Sequence, residues 1–200
     1  MPIHTEVLIY DHFEELDALG PYSVLDRSGF DVALVTAEPA ERIVAAHGTT
    51  VVPHRELSER VELLIVPGGP WTKRGPRGTW NEVQRGVLAP LIAARHAAGA
   101  TVASVCTGVF LLAAGGLLDG RPATTHHDDL DDLEGKAAQV IRDARVVDDG
   151  DIITSAGVTS GIDMALWLAE KHMGPEVAEA ARAEIEHRSD GRVWRAMEAR

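Results

Sequence analysis

Two stretches, "VELLIVPGG" at 61–69 and "ATVASVC" at 100–106, restrict the fold of this chain most. Both are continuous apolar runs rather than alternating ones, and both end in residues that suit a turn or a reactive site. A strand of this type is buried on both faces, which happens in parallel sheets covered by helices on each side. Each run is followed by a helical pattern, so the connection is strand, crossover helix, strand.

The rest of the chain repeats that alternation. "EVLIY" (6–10) reads as a first strand, and 16–28 as a helix made irregular by Gly20-Pro21. "FDVALVT" (30–36) is a second strand, and 43–53 alternates about His47-Gly48 as a hairpin does. Residues 80–98 read as one helix with Val83, Val87, Leu91 and Ala94 on a stripe. A helix over 107–115 stops at Gly115-Gly116. "PATTH" (122–126), an acidic helical piece at 128–134 and a hairpin-like "DDGD" within 144–157 follow. Helices are expected at 159–172, 175–188 and 190–199. There is no repeat, linker or low-complexity segment, so residues 1–200 are expected to form one domain. Sheets of this kind place their sites beyond the carboxyl ends of the strands. Those ends here carry Gly68-Gly69, Cys106 and Thr125-His126.

Charge narrows the partners. The formal net charge is −12, and no basic arm or patch stands out. Nucleic acid and anionic membrane surfaces need clustered Lys and Arg, so neither is expected as a partner. An anionic small molecule stays open, because local charge can oppose the total. The N-terminus lacks the pattern of a signal peptide, and no apolar run approaches a membrane span. A single unpaired cysteine suits a reducing compartment, and a cytoplasmic protein is expected. No phosphate-binding glycine motif is present, so no nucleotide cofactor is expected.

Cys106 admits two readings. Free cysteine is among the most buried residue types. At a strand-to-helix junction, however, outward N–H groups and positive partial charge lower a thiol's pKa and make it a nucleophile. Thr107 then offers a backbone N–H to an oxyanion and Gly108 lets the turn form, the logic of a nucleophile elbow. Gly68-Gly69 is either a plain turn or a second source of oxyanion donors. Glu14, Glu15 and Asp17 either satisfy a helix dipole or supply a proton carrier. His126 is a candidate base or orienting partner for Cys106. His126, His127, Asp128 and Asp129 are metal-ligand types, but neighbours on an extended segment face opposite ways, so no metal site is expected. "TSAGVTSGID" (154–163) reads as structural, lining a cleft at most.

Four segments in order, "EELDALGPYSVLDRSG", "ELLIVPGG", "ASVCTGVFLLAAGGLLDGRPATTHH" and "TSAGVTSGIDMALWLAE", together resemble the DJ-1/PfpI superfamily over nearly the whole chain. The resemblance implies a flavodoxin-like three-layer α/β sandwich with a mostly parallel sheet, a homodimer and no cofactor. It implies Cys106 as nucleophile, Asp17 as the acid touching its sulfur, oxyanion amides at Gly69 and Thr107 beside Gly68, and His126 near the cysteine. The run from Cys106 to His126, together with Asp17, is most similar to isocyanide hydratases. It is equally similar to the sensor domains of AraC-type regulators. Where those regulators continue into a helix-turn-helix, the tail here reads as an acidic helix, and no DNA-binding part is expected. The hydratase branch commonly carries Trp after the "TTH" histidine. His127 stands there, and it is expected to line and polarise the pocket. The substrate implied is a small electrophile: an isocyanide hydrated to an N-formamide, or alternatively an α-oxoaldehyde. A redox sensor acting through cysteine oxidation is the reading outside enzymology.

Overall fold

The computed structural model describes residues 2–137, 139–189 and 191–196. In chain order the first half contains β1 (His4–Leu8), α1 (Glu15–Arg27), β2 (Asp31–Thr36), β3 (Ile43–Val44), β4 (Thr50–Val51), β5 (Arg55–Glu56) and β6 (Leu63–Val66). Then come α2 (Gly78–Arg85), α3 (Leu88–Ala97), β7 (Thr101–Val105) and α4 (Val109–Ala114). The second half contains β8 (Pro122–Ala123), α5 (Leu130–Leu133), β9 (Gln139–Val140), β10 (Val146–Asp148), β11 (Ile152–Ser155), α6 (Ser160–Met173), α7 (Pro175–Glu184) and β12 (Val193–Arg195).

The main sheet has eight strands in the order β12-β10-β11-β7-β6-β1-β2-β5. All neighbours run parallel except the β10–β11 pair, which forms the expected hairpin. Every residue of β6 is buried, as its unbroken apolar run requires. One face is covered by α1, α6 and α7, the other by α2, α3 and α4. This is the flavodoxin-like sandwich. The chain leaves β1 toward opposite edges of the sheet, and that reversal opens a crevice beyond the carboxyl ends of β1, β6 and β7.

Close approach of α1 and α6 depends on small residues. A Cβ on Gly20 would sit 3.2 Å from Ile162, and one on Gly161 3.2 Å from the Pro21 ring. The helix runs through Pro21 without ending.

Two expectations are corrected. The helix over 80–98 is two helices. Gly86 adopts φ 68°, the left-handed conformation that ends α2, and α3 restarts with a new phase. The buried face of α3 is therefore Leu88, Ala89 and Ile92, not the stripe through Val83, Val87, Leu91 and Ala94. The helix over 190–199 is also absent where described. Val193–Arg195 instead form β12, with Val193 opposite Val146, because the edge of β10 has hydrogen bonds to satisfy. Residues 190 and 197–200 lie outside the described residues. The helix expected over 175–188 ends at Glu184. Among the described residues, no helix is long and apolar enough to cross a membrane.

Candidate active site

Cys106 follows β7 directly and opens a 3₁₀ turn that leads into α4. Its φ is 55°, a conformation that costs a non-glycine residue about 1–2 kcal/mol. Two bonds hold it there. Its N–H donates to the Ala156 carbonyl at 3.1 Å, and its carbonyl accepts from Thr125 Oγ1 at 2.8 Å. The strain therefore sits on the nucleophile candidate and not on Gly108, whose φ of −54° is ordinary. Gly108 is needed for a different reason: a Cβ there would collide with the Val66 carbonyl and lie 2.7 Å from that of Pro67.

Asp17 lies in the first turn of α1 and is fully buried. Its Oδ2 accepts the Gly68 N–H at 3.0 Å. The Cys106 thiol is its other polar neighbour and favours the ionised carboxyl. Oδ1 is buried with no hydrogen-bond partner. Gly68 must be glycine to permit this, since a Cβ would stand 2.6 Å from Thr107 Oγ1 and 2.9 Å from Asp17 Oδ2. Its role is to hold the acid.

The Gly69 N–H is also engaged. It donates to Thr107 Oγ1 at 2.9 Å, while that hydroxyl donates to the Gly69 carbonyl at 2.7 Å. Thr79 and Tyr10 continue the network, at 3.1 Å from Thr107 Oγ1 and 2.9 Å from Thr79 Oγ1. Tyr10 closes it by donating to the Pro67 carbonyl at 2.8 Å. The backbone donors that act on the sulfur are the N–H groups of Thr107 and Val158. Val158 escaped the sequence reading, which took its segment as structural. Its φ of 37° is a second strained non-glycine position, and no local pattern announces it.

The thiol is not the low-pKa group that the strand-to-helix setting implied. Burial pushes it well up, the nearby Asp17 charge adds to this, and the two amides only partly oppose them. Burial likewise raises Asp17 well above the usual carboxylate range, and Glu14 pushes in the same direction. The six-residue α4 offers little macrodipole against desolvation.

Cys106 opens into a cleft of about 330 Å³. One wall is Trp71, stacked on Phe110 at 3.8 Å between centroids and fixed by its Nε1 donating to Asp132 at 2.8 Å. Another is the β3–β4 hairpin tip, tied down by Glu15 accepting the His47 N–H at 2.9 Å. His126 and Glu14 line the same cleft, as does His47, which no sequence motif pointed to. His126 is not bonded to Cys106. Its Nδ1 accepts the Asp128 N–H at 3.3 Å, and its ring rests against Gly157, where a Cβ would collide with it.

His127 is a correction. The chain enters a 3₁₀ turn at His127–Asp129, which directs the His127 side chain to solvent, so it is not among the residues lining the cleft. The same turn brings three of these four neighbours together, which an extended segment would not do. Ligand atoms of His126, His127 and Asp128 lie within 4.8 Å of one another, as do those of Glu14, Glu15 and His47. Glu15 is already committed to the hairpin amides.

The chain is similar over most of its length to several known proteins. An isonitrile hydratase of Pseudomonas putida is 32% identical over 190 residues, covering 94% of this chain and 79% of that protein. A deglycase of Pyrococcus abyssi is 31% identical over 82% of this chain and 94% of that protein. Among solved structures, a ThiJ/PfpI family protein from Pseudomonas syringae superposes with a TM-score of 0.82 at 28% identity, covering 95% of this chain and 77% of that one. The DJ-1/PfpI family profile matches residues 5–171, from β1 into α6, and the chain belongs to that family.

Proposed function

We propose that the protein is a cysteine-dependent enzyme acting on a small electrophile, and that it hydrates isocyanides to N-formamides. The observation that carries the reading is the buried pair of Cys106 and Asp17 beside an open cleft, with Asp17 Oδ2 fixed by the Gly68 N–H. Hydration needs a nucleophile and a proton delivered to one carbon, and a thiol–carboxyl pair supplies both.

The step balances as follows. Cys106 Sγ bonds to the isocyanide carbon while its proton passes through Asp17 to that carbon, leaving a thioimidate. Asp17 then takes a proton from water as the hydroxyl adds to the carbon of C=N, and passes that proton to the nitrogen. Collapse expels the thiolate as N-formamide forms, and the remaining proton returns to the Cys106–Asp17 pair. The amides of Thr107 and Val158 stabilise the sulfur anion when it appears. Incubation with an alkyl or aryl isocyanide tests this, with formamide expected. No formamide above a Cys106→Ala control overturns it.

A second reading is glyoxalase or deglycase chemistry, favoured by the Pyrococcus relative and by His126 at the cleft wall. Cys106 would add to an α-oxoaldehyde as a hemithioacetal, with Asp17 or His126 moving the proton. Lactate from methylglyoxal without glutathione distinguishes it. A redox sensor is a third reading, distinguished by stoichiometric oxidation of Cys106 by peroxide with no turnover of any small electrophile. A homodimer and a cytoplasmic location are proposed with the enzyme, and light scattering on the purified protein checks the first.

A further inference from the structure

The cleft above Cys106 carries one sign of charge. Glu14, Asp128 and Asp129 line it, and no lysine or arginine is among its lining residues. Its two imidazoles already stand beside carboxylates. His47 Nε2 is 3.0 Å from Glu14, and His126 Nδ1 is 3.8 Å from both Asp128 and Asp129. Protonating them offsets the charge without reversing it. The nearby arginines have partners of their own: Arg74 with Asp132, Arg142 with Asp131 and Glu134, and Arg145 with Asp163. Asp129 cannot swing away, since it is buried and accepts from Thr72 Oγ1 at 2.9 Å.

A total charge of −12 leaves the charge of a site undecided, and these positions decide it. We propose that the Cys106 cleft selects neutral and cationic electrophiles, amine-bearing ones above all, and rejects carboxylate- and phosphate-bearing ones. Glu14, Asp128 and Asp129 are the residues that set this preference. A cleft lined by one sign, with apolar walls such as Trp71 and Val158, focuses its field on whatever enters. The inference rests on the reading of Cys106 as the reacting group of this cleft.

The single cysteine makes the test direct. Two methanethiosulfonates of similar size, one ending in trimethylammonium and one in sulfonate, each transfer their thio group to Cys106 and release methanesulfinate. Rates are followed by mass spectrometry on the folded protein and on the urea-unfolded chain. The folded protein is expected to favour the cationic reagent by about tenfold or more beyond the unfolded ratio. Glu14→Gln and Asp128→Asn are each expected to cut that preference roughly threefold. Glu59→Gln, exposed at the amino end of β6 and away from the cleft, is expected to leave it unchanged. Equal folded and unfolded ratios overturn the inference, as do cleft variants that behave like Glu59→Gln or a folded protein that reacts with neither reagent. Labelling needs no turnover. A protein with the expected labelling that hydrates no isocyanide refutes the proposed function alone. One that hydrates isocyanoacetate as fast as morpholinoethyl isocyanide refutes the charge selectivity alone.

Discussion

Asp17 on α1 accepts the Gly68 N–H at 3.0 Å, so the turn that ends β6 holds the acid in place beside the Cys106 thiol. Sulfur and carboxyl are thereby coupled electrostatically. Asp17→Asn keeps an acceptor for Gly68 but removes the charge and the proton relay. Formamide production is expected to fall by about 10²–10⁴, the usual worth of a general acid–base. The thiol, relieved of a neighbouring negative charge, is expected to titrate at lower pH. Thiolate absorbance against pH checks the shift, and an unmoved or raised midpoint counts against the coupling.

The raised thiol pKa has a stability consequence. In the unfolded chain Cys106 loses its proton near the ordinary value of 9.0, while the folded protein keeps it. The folded state then binds more protons, so stability is intact below pH 9 and is lost as pH rises above it. Urea denaturation between pH 9 and 11 is expected to show the wild type losing up to about 1.4 kcal/mol per pH unit relative to Cys106→Ala. Parallel pH profiles for the two proteins contradict the burial account.

Thr125 holds the Cys106 carbonyl at 2.8 Å in a buried setting. Thr125→Val keeps the shape and removes the donor, which is expected to cost about 1 kcal/mol or more. The elbow strain is then less well opposed, and the turnover rate is expected to fall with it. A urea midpoint and a rate that both match the wild type exclude that role.

His126 separates the two enzymatic readings. It has no bond to Cys106 and is bonded to Asp128. Isocyanide hydration by His126→Ala is expected to fall by less than the roughly 10²-fold of a lost acid–base group. A larger loss, especially with methylglyoxal as substrate, favours the glyoxalase chemistry.

Much of this protein was legible locally. The unbroken apolar runs of β6 and β7 implied a covered parallel sheet, because only burial on both faces tolerates such runs. Glycine and cysteine at the strand ends marked where a site would form, and the hairpins around His47 and Gly150 were visible as turn chemistry. The break at Gly86 and the strand at Val193–Arg195 were not, since each depends on what a neighbouring element leaves to be paired or packed. The site divides along the same line. Chain order places Cys106 at a strand end and Asp17 on the first helix. The direction of the thiol pKa, the capture of the Gly69 amide by Thr107, the arrival of Val158 and the turning of His127 to solvent all arise between segments distant in sequence. Desolvation and hydrogen-bond competition are properties of the assembled crevice, and no single segment carries them.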